Sequence, residues 1–368
     1  MLILLTDGSG LTSRQVATQA AAAGHRVEVV SPTRIGLAAF TRHVRRVHKV
    51  PAFGKDPDRW LEATLTVLEA GGHDVLLPTQ EQVAVLARDA HRVRALGVAL
   101  AVPPFAGLRR VQDKVAQAET LRALDLPHPP TTILRGPGYL KAPIGTASTG
   151  VRRFDDTLIA QQAIPGAVAM VQAVFDGGRL VAWHANLRDR EGVNGGAAAK
   201  RSIALPEAER HLERLGEHLG WHGALSLDAI VTPAGPSYID INPRLVEPGN
   251  AWRAGVDLVH ALLDVSLGAH PPRQAPPRPG VRTRQLLLDV LAQDRRAGVV
   301  RALARRQGAE ELTPVSGDPL AGVPVAAAAA AMLVSPRTRR LFTDAAVANY
   351  ALTPAAWRRI LAMAPNSR

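Results

Sequence analysis

Two aspartates flank a sequence typical of a β-hairpin, at a spacing that could bind a cation. The stretches 223–231 and 237–242 are typical of strands, and the Thr-Pro-Ala-Gly-Pro between them is typical of a turn. If the hairpin folds about Ala234, Asp228 lies opposite Asp240, with Cβ atoms about 5 Å apart. Two like charges so close repel each other unless a positive charge lies between them. The spacing therefore predicts two carboxylates on one face of a hairpin, with a divalent cation between them.

The second strand continues with two more side chains that could take part. Asn242 and Arg244 follow Asp240 at steps of two, so an extended strand directs all three to the same side. Two carboxylates and an amide oxygen form a hard oxygen site of the kind that Mg²⁺ occupies while it also holds nucleotide phosphates. A slip of one residue in register would send Asp228 to the opposite face. From the hairpin pattern alone, a polar face open to solvent is the competing explanation.

The run Asp240-Ile-Asn-Pro-Arg244 resembles the end of the ATP-grasp signature, and three further motifs precede it in the order of that superfamily. Asp113-Lys114 opens a predicted helix, the segment 141–151 resembles a lid lysine with a phosphate-covering loop, and Gln-Gln-Ala-Ile-Pro-Gly at 161–166 resembles the hinge. The segment Leu-Leu-Pro-Thr-Gln-Glu at 76–81 is similar to the pre-grasp domain of carboxylate-amine ligases and carbamoyl-phosphate-synthase-like members. The resemblance covers about the first 270 residues.

The resemblance implies ATP and Mg²⁺ as cofactors and a role for each residue. Arg244 would stabilise the transferring phosphoryl group and the acyl-phosphate oxygens. Mg²⁺ would bind to Asp228, Asp240 and Asn242. ATP would bind to Lys114, Lys141, Lys200, the loop residues Thr146, Ala147, Ser148, Thr149 and Gly150, and the hinge residues Gln161, Gln162, Ala163 and Ile164. The acceptor substrate would contact His184, Arg188 and Glu247.

Two of these assignments have equal alternatives. Arg188 and Glu247 could form structural ion pairs instead of contacting a substrate. Lys200, beside Arg201, could be a solvated loop residue. Only five of the 44 basic residues are lysine, however, and Lys114, Lys141 and Lys200 are three of the five. A compact ammonium group approaches phosphate oxygens as a point charge, so these lysines independently support a nucleotide site.

Three features depart from known nucleotide-binding patterns. Gln162 and Ala167 stand where many relatives have an acid for the ribose hydroxyls. The lid is short, so we expect either that a larger substrate completes its closure or that activity is reduced. Gly8 and Gly10 resemble part of a dinucleotide loop, but the third glycine is missing and Ser31, not an acid, follows the second predicted strand. We therefore expect no nicotinamide site.

Two kinds of sheet are predicted to position these residues. Strands and helices alternate from residue 2 to 102, which indicates a parallel sheet covered by helices. Two strand pairs between 168 and 242 indicate an antiparallel sheet. The resemblance makes this an α/β ATP-grasp fold, with a Rossmann-like pre-grasp domain at 1–108, a trimmed lid subdomain at 109–165, an antiparallel-sheet core at 166–270 and a mostly helical appendage at 281–368. We expect the appendage to pack on the core or on another subunit and to supply no catalytic group.

Composition excludes several other classes of protein. The chain has no cysteine, so disulfides, thiolate metal clusters and a cysteine nucleophile are excluded, and it has no Walker loop, HExxH or GxSxG motif. It lacks an apolar stretch of about 20 residues and a signal peptide, which predicts a cytoplasmic protein without a membrane partner. The net charge is +12, but from Arg273 onward 15 arginines oppose six acids. That local excess, without interleaved aromatic residues, argues against nucleic-acid binding.

We predict an ATP- and Mg²⁺-dependent ligase that activates a small-molecule carboxylate as an acyl phosphate for attack by an amine, releasing ADP and phosphate. One alternative is carboxyphosphate chemistry on bicarbonate, as in carboxylases and carbamoyl phosphate synthesis, although no biotin carrier or amidotransferase domain accompanies it. Another is a catalytically weak nucleotide-binding protein whose arginine-rich tail contacts an acidic partner. The tail could equally mediate assembly into a homo-oligomer.

Overall fold

A parallel sheet forms the first unit of the computed structural model, which describes residues 1–144, 146 and 149–363. Its strand order is β3-β2-β1-β4, with all neighbouring strands parallel. This confirms the predicted alternation of strands and helices. The elements in chain order are β1 (Leu2–Leu5), α1 (Leu11–Ala22), β2 (Arg26–Ser31), β3 (Val44–Lys49), α2 (Pro57–Gly71), β4 (Val75–Leu77), α3 (Val83–Arg88) and α4 (Ala90–Ala95).

Two details of this unit differ from the expectation. The sequence of β3, Val-Arg-Arg-Val-His-Lys, carries too much charge to be predicted as a strand; it forms the sheet edge, where solvent reaches its side chains. The strand expected at 98–102 is reduced to a single bridge between Val75 and Ala99.

The loop between β1 and α1 needs its glycines for close packing. A Cβ on Gly8 would lie 2.9 Å from the Cβ of Ser31, and one on Gly10 would overlap Nε2 of Gln80. Asp7 Oδ2 accepts the backbone N–H groups of Ser9 and Gly10 and so fixes the loop. Both glycines are therefore required by close packing against neighbouring side chains.

Two short hairpin-like pairs follow two helices in the middle of the chain. The helices are α5 (Phe105–Gln112) and α6 (Lys114–Ala123), and the strands are β5 (Thr131–Leu134), β6 (Gly138–Lys141), β7 (Val151–Phe154) and β8 (Leu158–Gln161). β5 pairs with β8 and β6 with β7, both antiparallel. These strands occupy the region expected to form the lid.

A largely antiparallel sheet is the centre of the molecule. Its first members and their helices are β9 (Ala167–Asp176), β10 (Arg179–Glu191), β11 (Ala197–Ser202), α7 (Pro206–Leu219), β12 (Gly223–Thr232), β13 (Gly235–Asn242), α8 (Gly249–Arg253) and α9 (Leu258–Ser266). Gly177 and Gly178, both at positive φ, make the turn between β9 and β10, as predicted. Phe175, Trp221 and Tyr238 are fully buried in the core between this sheet and α7.

The tail, expected to be a mostly helical appendage that packs on the core or on another subunit, also contributes two strands to the central sheet. Its elements are β14 (Arg282–Arg284), α10 (Leu286–Leu291), α11 (Arg296–Ala304), β15 (Ala309–Glu310), α12 (Gly322–Val334), α13 (Arg339–Tyr350) and α14 (Pro354–Ala362). In the described part of the chain the sheet has the order β13-β12-β9-β10-β11-β14-β15. β14 pairs with β11 because that strand would otherwise expose an unpaired edge. α14 returns to the first unit, where Ile360 is fully buried.

The alanine run lies on α12, the most apolar helix of the tail. Val325, Ala328 and Met332 point into a core that includes Leu287 and Val290 of α10. Among the described residues, no helix is both long and apolar enough to cross a membrane.

Candidate functional site

The hairpin of β12 and β13 brings two aspartates together at the predicted register. Asp228 pairs with Asp240, and Ser226 pairs with Asn242, which confirms the pairing expected for a fold about Ala234. A bulge after Asp228 shifts the register only towards the turn. Asn242 Nδ2 donates a hydrogen bond of 3.2 Å to Asp228 Oδ2. Two carboxylates and an amide therefore share one face of the sheet.

The two carboxylates interact electrostatically with each other and with a lysine. Burial and, after it, the negative charge of Asp240 raise the pKa of Asp228 to about 6. Lys114 Nζ donates to Asp240 Oδ1 and, over 3.2 Å, to Gln117 Oε1. Asp113 fixes the start of α6 by accepting two backbone N–H groups of its first turn over 2.9 and 3.0 Å. Lys114 thus supplies a positive charge beside the aspartate pair.

Arg244 lies where β13 leaves the sheet, and it joins the hairpin to the first unit. Its Nε donates to Glu81 Oε1 over 2.9 Å, and its carbonyl oxygen accepts the hydroxyl of Ser226 over 2.7 Å. Sequence reasoning gave Glu81 no role of its own, although this acid ends the pre-grasp motif. The ion pair holds the guanidinium beside the carboxylates of the hairpin.

A row of polar side chains continues this face across the sheet. Asn242, Ser226, Gln172 and His184 are successive register partners on β13, β12, β9 and β10. The His184 side chain is fully buried, and within the described residues neither ring nitrogen has a partner in hydrogen-bonding geometry. Burial, helped by the positive charge of Lys200, lowers the pKa of His184 to about 3, and an interaction with the Asn250 side chain only partly opposes this shift. The buried ring is therefore neutral near pH 7.

Lys200 is buried in an ion-pair group and is not a solvated loop residue. It lies on β11 with 4% of its surface exposed. Its Nζ donates to Glu247 Oε2 over 2.7 Å and to Glu311 Oε1 over 2.6 Å. Burial would lower the pKa of Lys200, but the two carboxylates outweigh it and raise the pKa. Lys200 contacts an expected substrate residue, Glu247, and one that was not expected, Glu311.

Arg188 and Glu247 each form an ion pair, but with different partners and not with each other. Arg188 bonds to Glu191 over 3.0 Å and to the carbonyl oxygen of Gly195 over 2.6 Å. Glu247 pairs with Lys200 and has a φ of 52°, which is uncommon for a residue other than glycine. Such backbone conformations persist where the surroundings hold them, and functional sites are a frequent place for them.

The predicted lid residues lie at the end of an exposed strand and in the loop that follows it. Lys141 ends β6 and is exposed. Thr149 N–H donates to the carbonyl oxygen of Thr146 over 3.0 Å, while Ala147 and Ser148 lie outside the described residues. Gly150 has a φ of 80°, and a Cβ there would lie 2.7 Å from the Cβ of Ala142, so this loop end requires glycine.

The predicted hinge lies at the end of β8, directly before the central sheet. Gln161 Nε2 donates to Thr131 Oγ1 over 3.3 Å, and Gln162 N–H donates to the carbonyl oxygen of Pro130 over 3.0 Å. Ala163 and Ile164 follow outside any helix or strand. Their backbone groups are in the connection where a hinge is expected.

The tail supplies three side chains near the site that sequence reasoning missed. Glu311 bonds Lys200, and Gln285 Nε2 donates to Glu247 Oε2. Burial raises the pKa of Tyr350 to about 12; the negative charges of Asp7, Glu247 and Glu81 add to the shift, whereas the positive charge of Arg244 opposes it. The adjacent acids Glu310 and Glu311, in a tail dominated by arginine, were the available signal.

Three solved structures are similar to this chain over most of its length. The biotin carboxylase domain of 2-oxoglutarate carboxylase from Hydrogenobacter thermophilus, in complex with MgADP, ADP and bicarbonate, has a TM-score of 0.55 at 15% identity, over 76% of this chain and 73% of that one. N5-carboxyaminoimidazole ribonucleotide synthetase from Thermus thermophilus has a TM-score of 0.56 at 17% identity, over 83% and 97%. The ADP complex of purK, a synthetase of the same name, has a TM-score of 0.57 at 14% identity, over 82% and 85%. No protein-family model and no curated protein matches the sequence.

Along this chain the parallel-sheet unit comes first, the short strands β5 to β8 follow, and the largely antiparallel sheet comes after them. At 14 to 17% identity the likeness concerns the fold and not the chemistry. The fold of this chain is the ATP-grasp fold.

Proposed function

We propose that this protein is an ATP- and Mg²⁺-dependent ligase that activates a small-molecule carboxylate as an acyl phosphate, which an amine then attacks to form an amide. The observation that carries the proposal is the opposed pair of Asp228 and Asp240 with Asn242 beside them and Lys114 on Asp240. The similar solved structures support it, because they include complexes with ADP and MgADP.

The donor set of the hairpin fits Mg²⁺. Asp228 and Asp240 supply carboxylate oxygens and Asn242 an amide oxygen, and the raised pKa of Asp228 reports a negative charge that lacks sufficient compensation. When bound there, Mg²⁺ would neutralise charge on the nucleotide phosphates. The amide of Asn242 would turn its oxygen inward, since its nitrogen now faces Asp228.

The remaining residues would position and stabilise the reacting groups. Lys114 and Lys141 would contact the nucleotide phosphates from α6 and β6. Arg244, held by Glu81, would stabilise negative charge on the transferring phosphoryl group and on the acyl phosphate. The buried imidazole of His184 and the Lys200–Glu247 pair line the side of the sheet where we place the acceptor carboxylate.

A second candidate is the same chemistry with bicarbonate as the carboxylate. It is favoured by one specific observation, the biotin carboxylase domain in complex with MgADP and bicarbonate. The product would then be a carboxylated amine, formed through carboxyphosphate. A catalytically weak nucleotide-binding protein remains the third alternative. The opposed carboxylates argue against it, because they repel each other without a bound cation and so lower stability unless they bind a metal.

The test is a product screen with the full chain. The protein, ATP and Mg²⁺ are incubated with a panel of carboxylic acids, bicarbonate included, with and without amines, and both ADP release and product masses are recorded. An amide mass that requires acid, amine and ATP together supports the ligase, and a carboxylated amine that forms from ATP and amine with bicarbonate as the sole acid supports the second candidate. Asp240→Asn should abolish turnover, whereas Asp155→Asn, an exposed acid on the loop after β7, should not. ADP release that is independent of every acid would refute both candidates.

A further inference from the structure

Two histidines and a glutamate converge on the parallel sheet, away from the hairpin site. Glu28 Oε2 lies 2.5 Å from His48 Nε2 and 3.2 Å from His73 Nε2. The three atoms that could bind a metal all lie within 4.8 Å of one another. Glu28 is on β2, His48 on β3, and His73 in the turn between α2 and β4. The cluster therefore joins three separate segments of the first unit.

The position of His73 is fixed by the backbone around it. Gly72 has a φ of 59° and ends α2, which turns the chain towards the sheet. A Cβ on Gly71 would overlap Cε1 of His73 and lie 2.6 Å from its Nδ1, so the ring packs directly against this glycine. The His73 side chain is fully buried, whereas those of His48 and Glu28 are 15% and 16% exposed. His73 is thus held in place by its surroundings, whereas the side chains of His48 and Glu28 are partly accessible to solvent.

A second histidine–carboxylate–histidine group shows what distinguishes this cluster. Asp176 Oδ2 lies 2.7 Å from His270 Nδ1, and Asp176 Oδ1 lies 3.7 Å from His222 Nδ1. Arg179 donates to the same Oδ2 over 3.0 Å, so a guanidinium already occupies the space of a cation. Glu28, by contrast, is bonded by no arginine or lysine of the described chain.

We propose that Glu28, His48 and His73 bind one Zn²⁺ ion, with a water molecule as the fourth ligand on the solvent side. Two imidazole nitrogens and a carboxylate oxygen suit zinc, and two histidines with one glutamate leave one coordination position open. His48 and His73 both have Nε2 close to the same oxygen of Glu28, so the three atoms that would bind the ion already lie side by side. Glu28 and His48 need only separate by about 1 Å to admit an ion whose ligand bonds are about 2.0 to 2.2 Å long.

The bound ion would cross-link β2, β3 and the turn before β4. The ion would link the edge strand β3 to the sheet in addition to its backbone hydrogen bonds. This site is independent of the proposed ligase chemistry, because it uses nitrogen ligands and residues outside the hairpin.

The experiment is a zinc titration of the metal-free full chain by calorimetry at pH 7. Millimolar Mg²⁺ is present to compete with zinc for the oxygen-rich hairpin. The parent should bind one equivalent with a dissociation constant of about 10 μM or lower. His48→Gln and Glu28→Gln, both at partly exposed positions, should each weaken binding at least about tenfold. The matched control, His270→Gln in the Asp176 group, should bind zinc like the parent.

Co²⁺ absorption and thermal unfolding provide separate readouts. The parent should show the visible bands of four-coordinate Co²⁺, and zinc should raise its Tm but not that of His48→Gln. The proposal is overturned if the parent binds no zinc at about 100 μM, if the two variants bind it as the parent does, or if His270→Gln removes the binding. A folded His48→Gln variant with unchanged Co²⁺ bands would overturn it equally.

Discussion

The charge of Asp228 costs the metal-free protein stability near neutral pH. Its carboxylate is largely removed from water and lies opposite a second carboxylate, and Asn242 compensates only one of its oxygens. Function explains this arrangement better than stability does, because a cation bound between the two acids would relieve the repulsion. The same electrostatics predicts how stability changes with pH.

In metal-free protein, Asp228→Asn should change the pH dependence of the free energy of unfolding. The folded carboxyl group has a pKa of about 6 and the unfolded one its ordinary value near 3.8. As pH falls through 6, the folded state takes up the proton first, so the parent gains stability relative to the variant, by about 2 to 3 kcal/mol at pH 4. Denaturant unfolding from pH 4 to 8 in a chelator measures the difference. A difference that is constant across this range would contradict the burial of the charge.

Lys200→Met should destabilise the protein strongly, because it leaves Glu247 and Glu311 buried without their cation. Breaking a buried ion pair by removing one partner costs about 3 to 5 kcal/mol. Adding Glu311→Gln should recover part of the loss, since one uncompensated charge is removed. Chemical denaturation is the measurement, with Lys55→Met at an exposed position as the control. Equal stabilities of Lys200→Met and Lys55→Met would show that the ion-pair group is not buried in solution.

At the scale of elements, helices and strands with a regular sequence pattern could be predicted, whereas strands at the edges of the sheets could not. The bounds of α7 can be read from the sequence, because Pro206 opens this helix and Gly220, in the left-handed conformation, ends it. The register of β12 and β13 followed from a turn of fixed length between alternating strands. β14, with only Arg-Thr-Arg, has no apolar pattern, and its place beside β11 depends on a partner far away in sequence. Glu311 and Gln285 reach the site through that pairing, so the two adjacent acids Glu310 and Glu311 could mark the tail as unusual but could not show which residues they meet.

Lys141→Ala should weaken ATP binding about tenfold or more, because a lost charge-assisted phosphate contact costs about 1.5 to 3 kcal/mol. Isothermal calorimetry with a non-hydrolysable analogue and Mg²⁺ provides the affinity. Arg153→Ala is the matched control, since it removes an exposed positive charge from the neighbouring strand β7. Equal affinities of both variants and the parent would show that β6 does not form part of the nucleotide site.

At the scale of the whole molecule, the last helix belongs to the first unit. α14 buries Ile360 in the core that also contains Trp60 and Leu61 of α2. Arg14 on α1 pairs with Asp318 over 2.9 Å, with both side chains almost completely buried. The positive tail is therefore an integral part of the fold, in agreement with packing on the core, one of the two arrangements expected for it.

Ile360→Ala should lower the free energy of unfolding by about 2 to 4 kcal/mol, because it leaves a cavity against the first unit. Met363→Ala, which shortens a largely exposed side chain one turn later, should leave it within about 0.5 kcal/mol of the parent. Thermal and denaturant unfolding of the full chain distinguish the two. If Ile360→Ala matched Met363→Ala, the packing of α14 on the first unit would be refuted.

The ion pair between Arg14 and Asp318 also concerns how the chain is synthesised. On the ribosome, the first unit emerges hundreds of residues before its partner charge on the tail. During that interval the guanidinium has no carboxylate to neutralise it, and the surface that receives α14 faces solvent. The nascent parallel sheet therefore cannot reach its final packing until the tail has been synthesised, and over that period chaperone binding to the uncovered surface would compete with aggregation.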